Sequence, residues 1–335
     1  MHLYLEETFQ PSQRAIEVSR RDTAWDLMRR VKKLPAYHHN DCPDGLVDLS
    51  GAVNTLMRDW IDHYTSSLPP VQFSEALSYG PISGSSELLQ AAAGFFNSFF
   101  CPSIPVEPED ILASNGVTSS IDLVAWTICD PGDAILALTP TFYMVELDLS
   151  LRAGVVTIPV STTSISDPFG PDGIPYVIRA LDAATDGAAR RRGVRCRGLF
   201  ICNPSNPQGR CYDRQTLLAL AQWCTRRGMH LIVDEIYALS SFEAGRRQGE
   251  AGYDMNVTVP SPTISTSFTS ILSIDLSATN PPQNIHCLYS LSKDLGMGGL
   301  RMGFLITRNQ AIRSAAAKAR YVPLQLCCAI DNNLI

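Results

Sequence analysis

The lysine at position 293 lies between two serines and a glycine-rich turn, in the sequence Tyr-Ser-Leu-Ser-Lys-Asp-Leu-Gly-Met-Gly-Gly-Leu-Arg-Met-Gly. Ser290 and Ser292 precede Lys293, and Arg301 follows it. Hydroxyl groups and a guanidinium suit a bound phosphate, and a lysine amine is a nucleophile towards an aldehyde. These residue types together point to pyridoxal phosphate (PLP), a phosphorylated aldehyde, held on Lys293 as a Schiff base.

Composition argues against several other classes of protein. The chain has 335 residues and a formal net charge of −6, so we expect neither a nucleic-acid partner nor a membrane partner. Its start lacks the pattern of a signal peptide, and its ten cysteines fit no Cys-x-x-Cys spacing. We therefore expect a cytoplasmic protein with reduced thiols and no metal. His38-His39 is interpreted as a surface loop, and the basic run at 190–197 as the solvated end of a helix.

The hydrophobic pattern predicts an α/β fold, because short apolar runs alternate with amphipathic segments from residue 110 onward. Such alternation is typical of a mostly parallel sheet with helices on both faces, an α/β/α arrangement of three layers. Strands are predicted over 46–54, 110–114, 134–138, 155–160, 198–202, 230–235, 286–291 and 303–307, and helices over 23–33, 56–64, 86–100, 115–129 and 213–227.

Five polar motifs are predicted at the carboxyl ends of strands. They begin at or contain Asn115, Pro140, Asn206, Asp234 and Lys293. Ligands of parallel α/β sheets bind beyond those strand ends, so the motifs should meet at one edge of the sheet.

With these motifs in view, the chain resembles fold-type I PLP enzymes of the class I/II aminotransferase superfamily. These sequence motifs are most similar to those of the branch of 1-aminocyclopropane-1-carboxylate synthase-like proteins. The resemblance rests on three segments: Asn-Pro-Ser-Asn-Pro-Gln-Gly from residue 203, Asp-Glu-Ile-Tyr-Ala from residue 234, and the lysine segment from residue 289. The resemblance covers roughly residues 45 to 335 and implies the fold of the PLP transferases of type I.

The resemblance also implies a role for each matching residue. Asp234 would keep a proton on the ring nitrogen of the cofactor. Taken alone, the same residue is also consistent with a solvated strand end. Lys293 would be both the anchor and the base that acts on the substrate Cα–H. Asn206 and Tyr237 would bind the phenolic oxygen of the ring. Phe142 would stack on the ring, with a core phenylalanine as the alternative.

The phosphate and substrate ends complete the implied set. The backbone N–H groups of Val117 and Thr118 would bind the phosphate together with Ser290, Ser292 and Arg301. Tyr79 matches a tyrosine that reaches the phosphate of the other subunit, which implies a homodimer. Ala52 matches a position near the substrate carboxylate. The implied catalytic residues are Lys293, Asp234 and Tyr237.

Two departures from the family pattern limit the prediction. Val53 stands where the synthase-like branch has a glutamate, which weakens a literal synthase interpretation. Family members continue well beyond the last predicted strand, whereas the chain ends at Ile335, so the family's small domain is expected to be largely missing. We therefore predict an N-terminal arm over 1–45, a PLP-binding large domain over 46–320, and the start of a truncated small domain over 321–335.

The cofactor motifs leave three functions open. The first is an aminotransferase that acts on an amino acid. The second is a PLP-dependent lyase, either cyclopropane-forming or a carbon–sulfur lyase. The third is a PLP-binding remnant with weak catalysis, since the residues that grip the substrate carboxylate would lie in the small domain.

Overall fold

The computed structural model describes residues 11–20, 24–48, 51–69, 80–190, 194–241, 267–276 and 282–321. The chain divides into two compact units, Met1–Ala52 and Val53–Ile335. The first unit contains helices α1 (Gln13–Arg20) and α2 (Ala24–Val31) and a turn bridged between Ala36 and Leu46. The predicted domain boundaries at 45/46 and 320/321 stay predictions.

The second unit is built on one seven-stranded sheet with the order β1-β7-β6-β5-β4-β2-β3. Only β7 runs against its neighbours, β1 and β6, and the other pairs are parallel. The carboxyl ends of the other six strands therefore share one edge, where β7 begins. The strands are β1 Ile111–Ser114, β2 Ala134–Thr139, β3 Val156–Ser161, β4 Cys196–Cys202, β5 His230–Asp234, β6 Ile285–Ser290 and β7 Gly303–Thr307.

Helices cover both faces of this sheet, which confirms the predicted α/β/α layers. One face buries a cluster that includes Phe96, Val233 and Tyr289, and the other buries Ile121, Leu149 and Ile232. The two clusters divide neighbouring residues of β5 because side chains alternate along a strand. The helices of this unit are α3 Arg58–Ser67, α4 Ser86–Phe99, α5 Gly116–Ile128, α6 Val145–Ser150, α7 Ile174–Ala189, α8 Arg214–Arg226, α9 Leu291–Asp294 and α10 Gln310–Tyr321.

Two features differ from the prediction. The strand predicted over 46–54 is wrong for the described residues there, where only Leu46 forms an isolated bridge. Asn54 Oδ1 instead accepts a hydrogen bond from Leu56 N at 3.1 Å, a local turn that competes with strand pairing. Helix α7 extends over 16 residues, whereas the sequence analysis predicts only a helix end, at the basic run that follows it. Within the described ranges, no helix has the length and apolar character needed to cross a bilayer.

Candidate active site

The predicted motifs gather at one edge of the sheet. The parallel register places Cys202 beside Asp234, and Asp234 beside Leu288. The antiparallel register places Gly303, the first residue of β7, opposite both Ser114 and Ser290. Because these residues end or begin their strands, the segments that follow β1, β4, β5 and β6 and the segment that precedes β7 all lie at this edge. This is the convergence that the sequence predicted.

A crowded backbone crossing forms one end of the site, where helix α5 begins. Gly116 has a φ of 79°, and a Cβ on it would lie 2.5 Å from Nη2 of Arg301. The Arg301 guanidinium donates from Nη2 to the Asn115 carbonyl at 3.2 Å and from Nη1 to the Gly298 carbonyl at 3.0 Å. A cation is thus fixed beside the first N–H groups of a helix, an arrangement that favours an anion.

Gly303 allows this close approach, since a Cβ built on it would lie 2.6 Å from the Gly116 carbonyl carbon. We expect Gly303→Ala to force the backbones apart, to lower the free energy of unfolding by about 1–3 kcal/mol and to weaken anion binding. Gly299→Ala is the matched control, because nothing lies within 4 Å of its Cβ position. Denaturant unfolding and inorganic phosphate binding measure the two effects. Equal behaviour of the two variants would contradict the prediction.

Two serine hydroxyls line the same end of the site. Ser290 is buried, donates to the Met302 carbonyl at 2.8 Å and lies 2.7 Å from the Ser292 hydroxyl. Its Oγ also caps α9 by accepting from Ser292 N at 3.1 Å. The predicted partners from α5 are Val117, which is buried, and Thr118, which is exposed. Hydrogen bonds thus fix the Ser290 side chain, whereas the Ser292 side chain is half-buried and partly accessible from the site.

Lys293 is half-buried in the short helix α9, directly after the two serines. Burial lowers the pKa of its amine, and the neighbouring Arg301 cation lowers it further, whereas Asp234 opposes both effects. A lowered pKa increases the neutral fraction of the amine, which is the nucleophilic form. The environment therefore activates Lys293 in the direction that attack on an aldehyde requires.

Asp234 ends β5 with its carboxyl buried. Burial raises its pKa to about 7, the hydrogen bond from Ile236 N at 3.2 Å lowers the pKa, and nearby Asp148 raises it again. A buried acid in this state is stabilised in its ionised form by a cationic N–H group. Lys293 supplies part of that positive charge. The carboxyl at the end of β5 consequently suits a protonated ring nitrogen.

Asn206 and Tyr237 meet on the far side of this edge. The Asn206 amide donates from Nδ2 to the Tyr237 hydroxyl at 3.3 Å. Burial raises the pKa of Tyr237 to about 12, so the phenol stays a hydrogen-bond donor at neutral pH. Both residues line a cavity of about 330 Å³, together with Pro204, Ser205, Pro207, Gly209, Cys211, Ser240 and Ser241. Two donors at the wall of a cavity fit an anionic ring oxygen.

Asp294, which the sequence analysis did not single out, ties the lysine turn to the segment that carries Tyr237. Its carboxylate accepts from Leu239 N at 2.9 Å, from Ser240 Oγ at 2.5 Å and from Tyr289 Oη at 3.1 Å. Its carbonyl accepts from Asn54 Nδ2 at 2.9 Å. The sequence feature that could have indicated this role is the position of Asp294 directly after Lys293.

Removal of the Asp294 charge should loosen that connection. We expect Asp294→Asn to lower the free energy of unfolding by about 1–3 kcal/mol, because the amide presents one acceptor to three donors. The affinity for PLP should fall with it, since both Lys293 and Tyr237 lose a fixed neighbour. Ser240→Ala removes one of these hydrogen bonds and should have a smaller effect on both measurements. A larger effect of Ser240→Ala would contradict this account.

Glu235 is a second buried acid that the sequence analysis did not assign. Its carboxyl accepts from Ser270 Oγ and from Ile271 N, both at 2.6 Å, and Cys287 Sγ donates to it at 3.4 Å. Burial raises its pKa to about 8. Because Glu235 fastens residues 270–271 to the end of β5, it helps to fix the strand end that carries Asp234.

Three predicted residues are not tied to this cluster by the contacts described. Phe142 is half-buried, with its ring centroid 5.0 Å from that of Tyr143, and its stacking role stays a prediction. Tyr79 lies outside the described residues. Ala52 is the last residue of the first compact unit, and its substrate role stays a prediction.

Comparison with known families and proteins agrees with this geometry. The model of the family described as aminotransferase class I and II matches residues 50–321. A protein of Aspergillus fumigatus named "Probable aminotransferase gliI" is 33% identical over 284 residues, which are 84% of this chain and 59% of that protein. The 1-aminocyclopropane-1-carboxylate synthase 6 of Arabidopsis thaliana is 31% identical over 292 residues, 84% of this chain and 53% of that protein.

Solved structures show the same fold. The aspartate aminotransferase of Thermotoga maritima aligns with a TM-score of 0.64 at 17% identity, over 97% of this chain and 73% of that one. A single mutant of the Thermus thermophilus aspartate aminotransferase aligns with a TM-score of 0.62 at 19% identity, over 98% and 70%. The chain spans between about half and two thirds of the length of the two curated relatives.

Proposed function

Because this chain belongs to the aminotransferase class I and II family, we propose that it is a PLP-dependent aminotransferase that holds the cofactor on Lys293 and acts on an amino acid. The observation that carries the proposal is that the neighbouring parallel strands β5 and β6 bring the buried carboxyl of Asp234 and the half-buried Lys293 to one edge of the sheet. The residues fit PLP at both of its ends. Because Gly116 has no side chain, the Arg301 guanidinium lies beside the first N–H groups of α5, where it suits the phosphate, and Asp234 suits a ring N–H.

The residues divide the work as follows. The phosphate would be held by Arg301, Ser290, Ser292 and the N–H groups of Val117 and Thr118. Asp234 would keep the ring nitrogen protonated, Asn206 and Tyr237 would bind the ring oxygen, and Phe142 would pack on the ring. When bound, PLP supplies an electron sink for charge that develops at the substrate Cα. Lys293, once its amine is released, accepts the Cα proton as general base and returns it.

Trapping tests the first half of this proposal. Borohydride reduction of the PLP-treated protein, followed by peptide mass spectrometry, should locate the cofactor on Lys293. Transamination is then measured with candidate amino acids and pyruvate as acceptor, and should yield alanine. Absence of PLP on Lys293 would overturn the cofactor assignment. PLP binding with negligible turnover would instead support a PLP-binding protein with weak catalysis.

A lyase is the second candidate, because curated relatives include 1-aminocyclopropane-1-carboxylate synthases. Val53, where that branch has a glutamate, is 64% exposed and favours the aminotransferase. The same incubations separate the two, since a lyase releases ammonia and a keto acid, or a cyclopropane product, without forming alanine.

We also propose a cytoplasmic homodimer. Leu56, just before α3, and Trp60, in its first turn, are 93% and 56% exposed, and apolar surface of this kind supports a partner interface. Two buried thiols donate hydrogen bonds, Cys202 to the Pro204 carbonyl and Cys287 to Glu235, which supports a reducing compartment. Light scattering measures the oligomeric state.

A further inference from the structure

Arg210 closes the turn on which Asn206 lies. Ser205 N donates to the Arg210 carbonyl at 2.8 Å, and Gly209 N donates to the Ser205 carbonyl at 2.7 Å. Residues 205–210 therefore form one hydrogen-bonded turn between β4 and α8. Arg210 stands at the end of this turn, and the sequence analysis did not assign it a role.

The Arg210 side chain fastens the turn to the connection between β3 and α7. Its Nη2 atom donates to Asp167 Oδ1 at 2.8 Å, in an ion pair whose two side chains are partly buried. Its guanidinium carbon lies 4.7 Å from the centroid of the Phe169 ring, within the range of a cation–π contact. We call these three residues the Arg210 clamp. A planar guanidinium makes both contacts at once, which a compact ammonium group cannot do.

The segment that receives Arg210 is itself fixed by packing and hydrogen bonds. Phe169 is buried, its N–H donates to Asp167 Oδ1 at 3.1 Å, and its carbonyl accepts from Asp213 N at 2.9 Å. Its ring centroid lies 4.7 Å from that of Tyr212, which is also buried. The ion pair therefore holds the turn against a part of the protein that is already in place.

The other end of the turn is held by Asn203. Its backbone N–H donates to the Asp234 carbonyl at 2.8 Å, and its side-chain amide donates to the Thr269 carbonyl at 2.9 Å. Asn206 lies between Asn203 and the Arg210 clamp. The Asn206 side chain donates to the Tyr237 hydroxyl at 3.3 Å, which is long for a hydrogen bond. The position of Asn206 consequently depends mainly on the backbone of the turn.

We infer that Arg210 is a positioning residue that acts through Asn206, because the Arg210 clamp fixes the turn from which the Asn206 amide would donate to the ring oxygen of PLP. The inference rests on the proposed function for this consequence, since it requires that Asn206 meets the ring. The hold of the clamp on the turn is a property of the cofactor-free protein and is measured separately.

The first test measures hydrogen exchange of the Ser205 and Gly209 amides by NMR in the cofactor-free protein. Arg210→Met keeps most of the side-chain length but removes the charge and the donors, so both amides should exchange about tenfold faster. Arg214→Met is the matched control, because Arg214 is exposed and donates to the hydroxyl and the carbonyl of Ser273 instead. It should leave both rates within about twofold of the wild-type values. Unchanged rates in Arg210→Met would overturn the inference.

The second test follows the absorbance of bound PLP as a function of pH. Donors to the ring oxygen stabilise the form in which its negative charge is uncompensated, so they lower the pH at which bound PLP loses its proton. Arg210→Met should therefore raise this midpoint by about half a pH unit or more, in the same direction as Asn206→Ala. A merely structural role would lower the affinity for PLP without moving the midpoint, and that result would overturn the inference.

The double variant Arg210→Met/Asn206→Ala tests whether one residue acts through the other. Its midpoint should equal that of Asn206→Ala alone, because the clamp then has no amide to position. A further shift as large as that of Arg210→Met alone would overturn the inference. If the wild-type protein binds no PLP, the proposed function fails, while hydrogen exchange still tests the hold of the clamp on the turn.

Asp167→Asn provides a second variant if Arg210→Met does not fold. The amide keeps an acceptor for Phe169 N but loses the charge that pairs with Arg210, so exchange and midpoint should change in the same directions by smaller amounts. Arg210→Lys should also fall between the wild type and Arg210→Met, since it keeps the charge without the planar contact. Wild-type values of both measurements in Asp167→Asn would contradict the proposed clamp.

Discussion

Replacement of Lys293 by alanine is expected to abolish covalent attachment of PLP and to lower turnover by about 10³-fold or more. The reason is that the same amine is proposed to hold the cofactor and to carry the substrate proton, so both steps lose their group together. PLP should still associate, because the phosphate end at Arg301, Ser290 and helix α5 does not depend on the lysine side chain. Equilibrium dialysis measures retained binding, and borohydride trapping measures the lost attachment.

The matched control for this variant is Lys318→Ala, an exposed lysine on helix α10. It should leave attachment, affinity and turnover within about twofold of the wild-type values, as expected for a surface substitution. Retained covalent labelling in Lys293→Ala would mean that another amine holds PLP. Added methylamine should restore part of the turnover if the missing function is proton transfer, and none if the loss is structural.

Local patterns were sufficient to predict the strands that carry the site. The apolar run before Asp234 and the run before Ser290 each predict a buried strand, and the polar residue that ends each run marks the edge of the sheet. The sequence has glycines at 116 and 303, but only the structure reveals that the two glycines approach each other. Chain spacing alone cannot predict that contact, because it joins segments 187 residues apart.

The supporting acids were harder to predict from sequence for a different reason. Asp294 and Glu235 stand beside residues with obvious roles, Lys293 and Asp234, and each was interpreted as part of its neighbour's motif. Their functions depend on donors contributed by distant segments, at 239–240 and 270–271. Long-range hydrogen bonds of this kind leave no local signature.

The second large effect is expected at Asp234, where function and stability oppose each other. Asp234→Asn should lower PLP affinity and turnover by about 10²-fold or more, because an amide cannot pair with a protonated ring nitrogen. The cofactor-free variant, however, should be more stable than the wild type at pH 8, by about 1–3 kcal/mol. An amide of the same shape keeps the acceptor for Ile236 N and removes a buried charge.

The pH dependence follows from the sign of the shift. The Asp234 pKa is raised from 3.8 to about 7 in the folded protein, so between these values the folded state binds a proton that the unfolded state has released. Its contribution to stability is complete below about pH 4 and is lost as the pH rises through 7. The advantage of Asp234→Asn should therefore grow from about pH 4 to pH 7, and at pH 5.5 it should be about half of its value at pH 8.

Denaturant unfolding of the cofactor-free proteins at these two pH values measures the difference, with Asp172→Asn, an exposed acid, as the control that should show none. A variant that is less stable at pH 8 than the wild type would mean that the Asp234 charge is already compensated by the fold. Saturating PLP should reverse the order of stability at pH 8, since only the wild type gains the ion pair with the ring. In the empty site, the buried charge of Asp234 lowers the stability of the folded protein at pH 8. A cationic ring compensates that charge and a neutral ring does not, so Asp234 makes the site selective for a cationic ring.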